Sequence, residues 1–183
     1  MQKLQIEPYR KFARSHYTNK DAAHNFRHIK RIIDRLDFLS RELSQQPNKA
    51  LLYFIACFHG LEKNLRSDIA FRDRVKSFLR ELNWTEVEIK QGFQSLERHL
   101  KYPKTIEERI VHDANYVELL GAFGIAKAFT TGGAYNQTYE ETADIFEHQY
   151  LDRVKFVTPM GKRLAEKKKS YAKDFLRQLR SEL

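Results

Sequence analysis

Apolar residues recur at three- and four-residue intervals along most of this chain, while strict alternation of apolar and polar residues is rare, so the pattern predicts an all-α protein. The first helix is expected over about 3–17. A second is expected over about 25–43, where Ile29, Ile32, Ile33, Leu36 and Leu39 form one helical stripe. The stretch from Ala50 to His59 is apolar almost all round, the mark of a helix buried in the core, and Gly60 ends or loosens it. Later helices announce their starts. Thr85 with Glu88, Thr105 with Glu108 and Thr138 with Glu141 match the capping box, in which hydroxyl and carboxylate each satisfy an orphan amide. Thr158-Pro159 places a capping residue before a proline at the first helical position. These signals predict helices near 68–82, 86–101, 106–120, 139–153 and 159–181, with Gly121, Gly124, Gly132 and Gly133 punctuating a less regular stretch. No repeat, linker or low-complexity segment interrupts the pattern, so the expectation is a compact single-domain helical bundle over 1–183, with about six to eight helices.

Composition adds little to the fold and narrows the setting. Thirteen Phe, nine Tyr and one Trp supply bulky core material. The lone Cys57 permits no internal disulfide and reads as a small core residue. With no signal-like N-terminus, the expected location is cytoplasmic. No apolar run reaches the roughly 20 residues that span a bilayer, so no membrane partner is expected. The net charge of +9 would attract anions, but the basic residues are spread along the chain. Their densest run, 162–173, lies on an amphipathic helix and reads first as a solvated face.

Candidate chemistry resides in the histidines, at 16, 24, 28, 59, 99, 112 and 148. His24 and His28 share a face if both are helical. His59 closes the most hydrophobic helix, an odd place for a polar ring unless it has partners. Asp113 stands among the apolar residues of its predicted helix. Each feature alone has a plain structural explanation, a hydrogen-bonded core residue. Cys57 and His59 are two apart and point to different helix faces, which argues against a Cys/His dyad. Gly132-Gly133 lacks the lysine and spacing of a P-loop, and the aromatic residues sit at core spacing rather than as base-stacking platforms.

Taken together, a His, then a His ending a buried helix, then an Asp on a later helix resembles the HD phosphohydrolase superfamily. The likeness is strongest to small bacterial HD hydrolases that open with His-x-x-x-His-Ile-x-Arg, here His24-Asn25-Phe26-Arg27-His28-Ile29-Lys30-Arg31. Further on, Asp113-Ala114-Asn115-Tyr116-Val117-Glu118 and the run Leu120-Gly121-Ala122-Phe123-Gly124-Ile125-Ala126 are similar to that branch, as are Thr158, Arg163-Leu164-Ala165 and Phe175-Leu176. The resemblance implies a divalent metal on His28, His59 and Asp113, with Mn, Mg, Fe, Ni and Zn not distinguished. It implies His99 as a further active-site histidine and a nucleotide or other phosphorylated small molecule as partner. Such a metal polarises a phosphoryl oxygen and activates water, while cations such as Lys63, Arg31 and Lys101 would stabilise the leaving phosphate.

The departures fall on the chemistry. His59 is followed by Gly60 where the branch has Asp, and Asn115 and Glu118 replace two further aspartates of its later motif. The pattern is that of a scaffold kept while its reaction was lost or altered. Glu62, three residues after His59, would supply a replacement carboxylate on the same face if the helix continued, unless Gly60 ends it first. Three readings stand open: a metal-dependent phosphohydrolase; a catalytically inactive module, a pseudoenzyme, binding a nucleotide or a protein; and a nucleic-acid-binding protein using Lys162, Arg163, Lys167, Lys168, Lys169 and Lys173.

Overall fold

Ten α-helices and no strand form among the described residues of the computed structural model, which are 2–18 and 25–183, with side chains from 5 onward. The helices are α1 Gln2–Arg14, α2 Phe26–Leu39, α3 Lys49–Phe58, α4 Glu62–Ser67, α5 Ile69–Glu81, α6 Glu86–Arg98, α7 Ile106–Tyr116, α8 Gly121–Ala134, α9 Tyr139–Ile145 and α10 Pro159–Glu182. The all-α expectation holds, with a count above the six to eight predicted. The additions are α4 and α8. His24 lies outside the described residues, and so does its relation to His28.

Local chemistry accounts for most boundaries. Asn48 caps α3 by accepting from the Leu51 amide at 3.2 Å, and Asp68 caps α5 by accepting from Phe71 at 2.9 Å. The capping boxes of Thr85/Glu88 and Thr138/Glu141 are both formed. Two predicted helices change character near their ends. The stretch predicted to run to 120 tightens into a 3₁₀ turn over Val117–Leu119, and α9 widens into a π-helical turn over Phe146–Leu151.

The chain divides into two compact units, one of residues 1–36 with 45–112 and the other of 37–44 with 113–183. In the first, α3 packs against α1 and α6, with Phe54, Ile55, Ala56, Cys57 and Phe58 fully buried. An aromatic cluster surrounds it. Phe12 stacks on Phe78 at 4.3 Å between centroids, Phe54 packs tilted against Phe58 at 4.7 Å, and Trp84 donates Nε1–H to Tyr9 at 3.0 Å. Gly92 is demanded by this packing, because a Cβ there would lie 2.9 Å from the Trp84 ring. Arg98 at the end of α6 grips Glu108 in the first turn of α7 with two hydrogen bonds, 2.6 and 3.0 Å. Glu108 is fully buried and also accepts from the Lys104 amide at 2.7 Å.

In the second unit, α8 packs on α9 and α10 around Val117, Leu120, Ile125, Phe146, Phe156 and Leu176. This packing explains why a glycine-punctuated stretch is nevertheless helical. A Cβ on Gly124 would strike the backbone of Leu119, and one on Gly132 would strike Thr142, so the glycines permit the close approach that stabilises α8. Tertiary contact outweighs the weak helix propensity of Gly here.

Burial pushes the Glu108 carboxyl up, but hydrogen bonds from Arg98, Ser95 and the Lys104 amide hold it below its ordinary value. A depressed carboxyl contributes stability above its unfolded pKa, and that contribution is lost as pH falls through the folded one. Glu108→Gln is therefore expected to lower unfolding free energy by about 2 kcal/mol at neutral pH, as removal of one partner of a buried pair does. The difference from wild type should shrink on acidification, which urea titrations across pH 3–7 would reveal; a loss that stays constant with pH would refute the assigned role.

Candidate metal centre

Three imidazoles and a carboxylate gather where α3 ends. Helix α3 stops at Phe58, and Gly60 follows with φ of +86°, a left-handed conformation that favours glycine. The helix therefore ends before Glu62, as Gly60 leads one to expect, and the two residues do not share a continued helical face. Glu62 instead begins α4 after a tight turn, closed by its Oε1 accepting the Gly60 amide at 2.9 Å and by the Leu61 amide donating to Phe58 at 2.9 Å. The turn, not the helix, returns the carboxylate towards His59. From α1's extension, the buried Tyr17 hydroxyl donates within reach of the carbonyls of His59 at 2.7 Å and Cys57 at 2.9 Å, tying down the last turn of α3. Burial raises the Tyr17 phenol well above its ordinary range, so it remains a donor.

His99, at the C-cap of α6, completes the group. Its Nδ1 lies 2.6 Å from the Leu96 carbonyl, which can only accept, so Nδ1 carries the proton and Nε2 presents a lone pair. That Nε2 is 2.8 Å from His59 Nδ1. Ligand atoms of His59, Glu62 and His99 all lie within 4.8 Å of one another, close enough to converge on one ion. Burial drives the His99 pKa down to about 4, with His112 a smaller like-charge contribution in the same direction, so the ring is neutral and able to ligate at physiological pH. His28, on α2, is buried at 3% exposure with its ring centroid 5.3 Å from that of His59. His112, which the sequence pattern does not single out, is also buried, and its only signal beforehand was adjacency to Asp113.

Asp113 belongs to the second unit and is fully buried there. Its carboxylate accepts from the Thr158 amide at 2.8 Å, the Thr158 hydroxyl at 2.7 Å and the Val157 amide at 3.1 Å. Thr158 in turn caps α10 through the Gly161 amide at 3.0 Å, and a Cβ on Gly161 would collide with Asp113. A buried anion at the positive end of α10 is thus provided with donors, which is a structural role for the carboxylate predicted as a ligand. Lys63 and Lys101 are exposed, one residue after Glu62 and two after His99, while Arg31 is half-buried on α2 three residues after His28. Cys57 is fully buried and its thiol is pushed up by burial, so it is an inert core group.

The basic face of α10 carries ion pairs within its own unit. Arg163 meets Glu42, Arg180 meets Asp144 and Glu147 at 2.8 and 2.7 Å, and Lys173 lies 3.8 Å from Asp152. Part of the positive charge is neutralised locally. No described helix is long and apolar enough to cross a membrane.

The chain matches no family model. It is 26% identical to the uncharacterized protein YpgQ of Bacillus subtilis, over 98% of this chain and 94% of the relative. Among solved structures, an HD-superfamily hydrolase from Bacillus thuringiensis is similar with a TM-score of 0.77 and 26% identity, covering 100% of this chain and 98% of that one. Bacillus subtilis YpgQ, crystallised in complex with ADP, is similar with a TM-score of 0.79 and 22% identity over 100% and 97% of the two chains. The protein therefore has the fold of the HD superfamily. Within that class it resembles the small bacterial HD hydrolases and YpgQ-like proteins, with the His-Asp doublet degenerate at His59-Gly60.

The left-handed turn makes position 60 sensitive to any side chain. Gly60→Ala is expected to destabilise the protein by about 1–2 kcal/mol, the penalty of placing a Cβ in that region. Chemical denaturation would measure it, and an unchanged midpoint would mean that the turn relaxes to negative φ.

Proposed function

We propose that this chain is a phosphohydrolase-like protein that binds a nucleoside phosphate together with a divalent ion held by His59, Glu62 and His99. The observation that carries the reading is the convergence of two buried imidazoles and a half-buried carboxylate. The residues fit a metal on chemical grounds: His99 is held neutral with its lone pair directed at His59, and Glu62 supplies one negative charge. Two imidazoles and one carboxylate suit a borderline ion such as Zn²⁺, Fe²⁺ or Mn²⁺ better than Mg²⁺, which prefers an all-oxygen shell. When bound, such an ion polarises a phosphoryl oxygen and lowers the pKa of bound water.

The protein's own residues would do the rest. His28 borders His59 and helps exclude bulk water from the corner. His59 Nδ1 donates to His99 Nε2, and His59 would have to give up that proton for the two rings to hold an ion together. Arg31, Lys63 and Lys101 are the candidates to attract and orient phosphate oxygens. The ADP complex of Bacillus subtilis YpgQ supports a nucleotide as the phosphorylated partner. Gly60 favours one second reading, an inactive module that binds the nucleotide without hydrolysing it, because the carboxylate expected beside His59 must now come from Glu62.

The test is calorimetric titration of Zn²⁺ and Mn²⁺ into chelator-treated protein, alongside Glu62→Gln, His99→Ala and Asp113→Asn, each checked for fold by circular dichroism. One ion per chain is expected, with affinity reduced roughly tenfold or more in Glu62→Gln and lost in His99→Ala. Absence of binding at millimolar metal would overturn the site. Asp113→Asn decides whether the ligand set extends to that residue. ADP binding that persists without metal, and without phosphate release in its presence, would select the inactive module.

A further inference from the structure

The second unit contains a cavity of its own that the metal reading does not use. Its volume is about 180 Å³, and every residue lining it falls within 119–150. Leu119, Ile145, Phe146 and Tyr150 give it apolar and aromatic walls. The wall is shaped by the π-helical turn over Phe146–Leu151, where the Asp152 amide donates five residues back to Glu147 at 3.0 Å. Such turns insert an extra residue into the helix and shift the side chains that follow, and they recur at binding sites. Here Phe146 is buried in the core, and Tyr150, half-buried, stands 6.4 Å from it between centroids, at 42°.

Polar side chains also line it, Lys127, Thr131, Gln137 and Thr142 among them. Lys127 is the one cationic side chain among the described lining residues. Gln137 accepts from the Thr142 hydroxyl at 3.3 Å, so the donor end of its amide is what a ligand oxygen can meet. An apolar cavity of about 150 Å³ admits a benzene ring. The present one has room for a ring and a small substituent. An aromatic wall, a cation and an amide donor define the substituent: it is an anion with acceptor oxygens.

We infer that this cavity is a binding site for a single-ring aromatic carboxylate, with the ring against Phe146 and Tyr150 and the carboxylate at Lys127. None of its residues belongs to the metal group: they all lie in the second unit, whereas His59, Glu62 and His99 lie in the first. Benzoate is the probe of choice, with toluene as its uncharged counterpart.

Benzoate titrated into the ¹⁵N-labelled full chain should give saturable amide shifts concentrated on 119–150. Lys127→Gln should weaken benzoate roughly tenfold while leaving toluene shifts unchanged, since only the charge contact is lost. Thr131→Trp, which plugs the mouth from an exposed position, should abolish both. Linear, unsaturable shifts in the wild type, or saturable shifts that survive Thr131→Trp, would overturn the proposal. Equal weakening of benzoate and toluene by Lys127→Gln would overturn the assignment of the carboxylate to Lys127. Wild-type saturation itself decides whether the cavity binds, even if a variant fails to fold.

Discussion

A polar ring at the end of a helix that is apolar almost all round must find its partners inside the protein, and the centre of the first unit is organised by how His59 is satisfied. Leaving such a group unpaired would cost about 1–3 kcal/mol, enough to matter against the marginal stability of a domain. The answer is an assembly rather than a single bond. Tyr17 secures the His59 carbonyl, His99 takes its ring nitrogen, and the Gly60 turn brings Glu62 back beside it. The same turn removes the carboxylate that HD proteins of this branch carry next to the histidine, and a different carboxylate stands nearby. Glycine at position 60 suits the left-handed turn, and the carboxylate that stands beside the histidines is that of Glu62.

Asp113 presents the same problem in the second unit and receives a different answer. A fully buried carboxylate is accommodated by the first turn of α10, where two amides and a hydroxyl converge on it. Helix α10 thereby gains an anion at its positive end, and Gly161 is held to a hydrogen side chain by the closeness of that contact. The longest helix of the protein and a residue of the HD pattern thus depend on each other. A substitution at Asp113 reads on stability as well as on any metal, which is why binding and fold must be measured together.

Charge follows burial in both units. Inside, His99 is kept neutral and Glu108 is kept ionised by hydrogen bonds to Arg98, so each titratable group has the protonation state its neighbours require. Outside, Arg163, Lys173 and Arg180 of α10 are matched by acids on other segments of their unit, so part of the positive charge is neutralised locally.

Most of the helices were legible from the chain because their causes are local. Caps at Thr85, Thr138 and Thr158, and the apolar stripe of α2, act over three or four residues and need no knowledge of the fold. The order of His28, His59 and Asp113 along the helices was equally legible, and with it the fold. Helix α8 was not, since its glycines read as breaks until Leu119 and Thr142 are seen pressed against them. Nor was the meeting of His59, Glu62 and His99, which depends on a left-handed turn and on α6 ending 40 residues away beside α3. Residues close in sequence obey backbone hydrogen bonding and propensity, so the sequence alone determined the helices whose caps and apolar stripes are local. Residues distant in sequence meet only because apolar faces must be buried together, so tertiary packing alone decided which carboxylate faces the histidines.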